Sequence, residues 1–84
     1  MLNEDKKLSE IMILLDQLGI ELKISDDVDP GFCQLNNKKF IFLNRINKKS
    51  EKIKKLINIL RELNLENVYV KPILRDMIDE GYMG

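Results

Sequence analysis

Phe40-Ile41-Phe42-Leu43 is apolar on four consecutive residues, and a strand reading of it leaves two arrangements. Side chains alternate across a strand, so such a run is apolar on both faces. It suits a central strand covered on both sides, or one whose second face is left for a partner. Upstream, Ile20-Glu21-Leu22-Lys23-Ile24 alternates strictly and reads as a half-buried strand. Phe32-Cys33-Gln34-Leu35 and Lys39 to Leu43 flank Asn36-Asn37-Lys38. Because asparagine tolerates positive φ, this reads as a tight β-hairpin. Asp26 to Gly31, with Pro30, reads as a turn or short loop between the first two strands.

Helical spacing accounts for most of the rest. Over residues 4–18, Leu8, Ile11, Met12, Leu15 and Leu18 recur every three or four positions. Asn3 is the expected N-cap, Glu4 and Asp5 suit the positive end of the helix dipole, and Gly19 is placed to stop the helix. A second helix is expected over 51–63, capped by Ser50, with Ile53, Leu56, Ile57, Leu60 and Leu63 on its apolar stripe and Asn64 at its stop. Val68-Tyr69-Val70 reads as a short strand. Pro72 suits the first turn of a last helix over 72–80, and the tail 81–84 is expected to fray. The fold class that follows is α+β: a single domain spanning 1–84 in the order α-β-β-β-α-β-α, its mostly antiparallel sheet covered by helices.

Charge is segregated along the chain. Residues 38–61 carry nine bases against one acid, residues 1–37 eight acids against three bases, and residues 62–84 five acids against two bases. A field of one sign can steer an oppositely charged partner, or be matched by the chain's own acidic parts. The candidate partner- or nucleic-acid-binding patch is Lys38 and Lys39 at the hairpin tip, Arg45, Lys48 and Lys49 before the second helix, and Lys52 and Lys55 on it. With eleven lysines and eleven isoleucines but no alanine, threonine or tryptophan, composition itself favours lysine, so placement carries more weight than number.

Residue types that are missing restrict the chemistry. There is no histidine and one cysteine, which removes Ser-His-Asp and Cys-His pairs, His-containing zinc sites, thiolate cages and disulfide frameworks. The four glycines, Gly19, Gly31, Gly81 and Gly84, form no phosphate loop. No cofactor or metal is expected. Asp26, Asp27 and Asp29 could gather a hard cation but lack the rest of a calcium loop, and a solvated turn accounts for them. Cys33 is a candidate reactive thiol if a cation or helix N-terminus lies beside it; a small buried apolar role is the alternative. Tyr69, Lys71, Arg75 and Asp76 cluster around Pro72; Arg75 could hold a carboxylate, but pairing with Asp79 one helical turn on is the expectation. No apolar run approaches a membrane span and the N-terminus lacks signal-peptide order, so a cytoplasmic protein without membrane partners is expected.

The stretch Leu15-Asp16-Gln17-Leu18-Gly19-Ile20-Glu21-Leu22, then Lys39-Phe40-Ile41-Phe42-Leu43-Asn44, then a helix, resembles the opening of ImmA/IrrE-type zincin-like domains. In those the next helix bears His-Glu-x-x-His. Here it reads Glu51-Lys52-Ile53-Lys54-Lys55-Leu56-Ile57-Asn58, so the resemblance implies fold and no peptidase site. Gly31, Cys33, Asn44, Tyr69, Pro72 and Arg75 also resemble the pattern of small uncharacterised bacterial α+β proteins, a likeness that again implies a fold and no mechanism. Two functional expectations stand. The first is a non-catalytic protein-binding or assembly module, self-association included, docking through a strand edge or the second face of Phe40–Leu43. The alternative is RNA or DNA binding through residues 38–55. An enzyme built on Cys33 or the aspartates comes third.

Overall fold

Asn3 starts the first helix as its side chain foretells: Oδ1 accepts a 2.8 Å hydrogen bond from the Lys6 amide, satisfying a donor that the first turn leaves without an intrahelical partner. The computed structural model describes residues 3–26, 29–63, 65 and 67–80. Helix α1 spans Glu4–Gln17. Gly19, at φ 72°, reverses the chain into strand β1, Ile20–Ser25, in a left-handed conformation that costs a residue with a Cβ.

Strands β2, Gly31–Leu35, and β3, Lys38–Asn44, form the expected hairpin. Its loop is the two residues Asn36 and Asn37, with Asn36 at φ 55° and Leu35 opposite Lys38. The strand order is β1-β3-β2, so the Phe40–Leu43 run is the central strand. β1 pairs with β3 in parallel and β2 pairs with it antiparallel. The sheet is therefore mixed, not mostly antiparallel, because β1 is not joined to β2 by a hairpin. Its loop crosses the end of β3 to reach the far edge. Asn44 closes β3 by accepting the Ile46 amide on its side chain at 3.1 Å, an Asx turn.

Helix α2 spans Lys49–Glu62, two residues earlier than the expected start. Lys48 is the N-cap residue and Ser50 lies inside the first turn, because Glu51 Oε1 reaches back to accept the Lys48 amide at 3.0 Å. Leu63 follows in an extended conformation, and the expected stop residue Asn64 lies outside the described residues, as does the tail 81–84. Helix α3, Pro72–Glu80, matches the expected range. No strand forms at 68–70: Val68 turns back to bond the Leu65 carbonyl at 3.1 Å, and Val70 reaches the core without a ladder. Lys71 and Pro72 follow, and proline supplies no amide with which to extend a ladder. The observed order is α-β-β-β-α-α.

One core joins the helices to one side of the sheet. Ile11, Leu14 and Leu15 of α1, Ile53, Leu56, Ile57 and Leu60 of α2, and Leu74 and Ile78 of α3 enclose Ile20, Ile41 and Leu43. Phe40 and Phe42, one residue off in register, belong neither to this core nor to the half-buried shell packed on it. Among the described residues the architecture is two layers, three helices on one face of a three-stranded sheet, with no element over the other face. No helix among the described residues is long and apolar enough to cross a membrane.

Candidate functional site

The register defines what the uncovered face presents. Lys38, Phe40, Phe42 and Asn44 alternate with the core residues of β3. Cys33 lies opposite Phe40, Gly31 opposite Phe42 and Leu35 opposite Lys38 on β2. Glu21 and Lys23 stand beside Phe40 and Phe42 on β1. A two-residue repeat places all of these on one side of the sheet. The result is an apolar strip of two rings with Cys33 and Leu35 alongside. Its rim is formed by Glu21, Lys23 and Lys38.

The two rings are 6.3 Å apart between centroids and tilted by 34°, so they do not stack on one another and both are half-buried. The Lys23 ammonium lies 5.4 Å from the Phe40 centroid, within reach of the ring quadrupole. It is also 3.8 Å from the Glu21 carboxylate. Gly31 leaves a notch beside Phe42. A Cβ built on it meets no atom within 4 Å, and its φ lies outside the left-handed region.

The basic segment does not converge. Lys38 and Lys39 start β3 and Arg45 follows its end, seven residues later. At ~3.3 Å per residue they are roughly 23 Å apart. Lys38 and Lys39 also point to opposite sides of the sheet. Lys39 faces the helices and, with Leu18, Ile20, Phe32, Gln34, Leu63 and Leu65, lines a groove of about 290 Å³. Lys52 and Lys55, both half-buried, flank the apolar stripe of α2 and therefore belong to the helix layer.

Two of the cations are matched inside the chain. Because β1 and β3 are parallel, their C-terminal ends lie together, and the loop leaving β1 meets Arg45. The Arg45 amide donates to the Ser25 carbonyl at 3.0 Å, and its Nε donates to Asp26 Oδ1 at 3.2 Å. Asp29 is exposed at the far side of that loop, and Asp27 lies outside the described residues. Lys49 bonds Asp5 at the start of α1, which raises the lysine pKa through the hydrogen bond first and the carboxylate's charge second. Lys48 supplies its backbone to the start of α2.

The remaining candidates separate similarly. Cys33 is a half-buried free thiol on the uncovered face, not an enclosed core residue. Tyr69 is 76% exposed. Lys71 reaches across to Glu10 of α1 at 2.8 Å, which raises its pKa chiefly through that hydrogen bond and ties the α2–α3 connection to α1. Arg75 lies with Arg61 and Asp79 beside Leu63 and Leu65, and among the described residues it makes no ion pair with Asp79.

Of the two arrangements open to the Phe40–Leu43 run, the structure takes the one whose second face, Phe40 and Phe42, lies away from the core. The signal lay in their parity: same-face positions of a strand whose other face supplies Ile41 and Leu43. Lys23 and Gly31 carried no signal of their own, because their roles depend on which strands pair. No protein-family model matches the chain, and neither a curated protein nor a solved structure is similar to it.

Proposed function

We propose that this chain is a non-catalytic binding module that takes its partner on the uncovered face of its sheet. One observation carries the reading. The central strand spends two aromatic residues, Phe40 and Phe42, on the side away from the core. On a face that only met solvent, polar residues would serve the strand equally well, whereas an apolar strip with a charged rim is the usual composition of a docking surface. The basic segment is a weaker candidate, since its two ends are separated and Arg45 and Lys49 are engaged by Asp26 and Asp5.

Cys33 offers a direct test, because it is the only thiol in the chain and sits on this face. Its alkylation rate is to be compared in dilute protein, in concentrated protein, with mixed oligonucleotides, and with a nuclease-treated cell extract. A partner seated on the face slows the reaction in at least one condition, and substitution of Phe42 by serine restores the rate. Equal rates in all four overturn the proposal.

A further inference from the structure

Resting on the reading above, we infer that the occupant of the uncovered face is single-stranded RNA, with bases stacked on Phe40 and Phe42. The dimensions come first. Three strands ~4.8 Å apart and a seven-residue central strand give a face of about 14 by 23 Å. That is a flat footprint of roughly 300 Å², smaller than the footprint of a standard protein interface, which removes about 800 Å² of accessible surface from each partner. A second copy or a globular protein would find too little surface there. A single strand touching the sheet with two or three bases would not.

The chemistry agrees with the size. Both rings are half-buried on the side of the sheet away from the core, and the 6.3 Å between their centroids lets two successive splayed bases each find a ring. Aromatic side chains on an open sheet hold unpaired bases in this way whatever their sequence. The notch at Gly31 leaves the second base room to lie flat on Phe42. Lys38, two residues before Phe40 on the same face, and Lys23, over its ring, stand where the linking phosphates would pass. A base stacking on Phe40 moves the Lys23 ammonium aside, toward the phosphate of that base.

Glu21, 3.8 Å from the Lys23 ammonium, is the one acid among the described strand residues of this face, and it favours one kind of strand over the other. Its carboxylate only accepts hydrogen bonds. A ribose 2′-hydroxyl can donate one, and deoxyribose has none to give. Arg45 is held by Asp26 beyond the far end of the strip, which leaves Lys38 and Lys23 as the cations on the strip itself.

The test is fluorescence anisotropy of the whole chain with a short labelled oligouridine, the matching oligothymidine and a duplex of equal length. RNA is expected to bind at least about tenfold tighter than duplex. Leucine at Phe40 or at Phe42, which keeps the apolar bulk, is expected to weaken binding roughly tenfold each. Gly31→Val fills the notch without backbone strain and is expected to weaken it similarly while the protein stays folded by circular dichroism. Two phosphate contacts predict a log–log salt slope of about −1.4. Duplex bound as tightly as single strand, or unchanged binding by the leucine variants, overturns the inference. Equal affinity for oligothymidine overturns the choice of RNA. If no oligonucleotide binds but Cys33 is protected by self-association or by protein, the inference fails and the binding-module reading stands. If Cys33 is protected by nothing, both fail.

Discussion

Ile41 and Leu43 on one side of β3 have no surface in solvent, while Phe40 and Phe42 on the other keep part of each ring exposed. The four residues are consecutive and similar in hydrophobicity, so nothing intrinsic to them divides the pairs. What divides them is the helix layer: α1, α2 and α3 all bury their stripes against the Ile41 side. Burial on that side contributes most of the folding free energy that this small domain has available. Apolar area on the other side contributes less to folding and stays available for association. A run of apolar residues can thus serve stability and binding from alternate positions of one strand.

The widest gap between the faces should appear on truncation. Ile41→Ala removes fully enclosed atoms and is expected to cost about 2–5 kcal/mol, read from chemical denaturation. Phe42→Ala removes a ring that solvent already reaches and should cost roughly 1 kcal/mol. Equal losses would break the comparison and place Phe42 in the core. Gly31→Val, with free space for its side chain, should leave stability unchanged or raise it by up to ~1 kcal/mol, since a β-branched residue suits a strand and restricts the unfolded chain. A marked loss would mean that the uncovered face is closed over Gly31.

The smallest effect belongs to the helix layer's rim, remote from both faces. Lys71 has its pKa raised above 10.5 by Glu10. Its contribution is therefore fully present below the ordinary lysine value and is lost as pH rises through the raised one. Glu10→Gln should lower stability slightly at neutral pH and flatten the alkaline decline of the thermal midpoint. An unchanged alkaline limb would show that the pair contributes nothing measurable.

Local elements were legible wherever their cause is local. Asn3 caps α1, Gly19 ends it, Asn36 turns the hairpin and Pro72 opens α3, because each acts on backbone within a few residues. Ser50 was a weaker guide, since Glu51 could reach the Lys48 amide and set the start of α2 there. Val68-Tyr69-Val70 has strand composition but no strand beside it, and composition cannot supply a ladder partner. The division of the candidate site was not legible either. The basic residues are neighbours in the chain, yet the extended length of β3 carries Lys38 and Arg45 to opposite ends of the sheet.

By itself, the sequence determined an α+β chain built from amphipathic helices and a hairpin, with a central strand apolar on both faces and few routes to catalysis. Those properties follow from periodicity, turn chemistry and residue types, all carried by short stretches. Only the tertiary structure decided that β1 lies parallel to β3, that the helices gather on the Ile41 side, and that Phe40 and Phe42 are left facing out. The reason is that either face of the Phe40–Leu43 run could have met the helices. The choice between them rests on strand order and layer packing, which are set by contacts between residues distant in the chain.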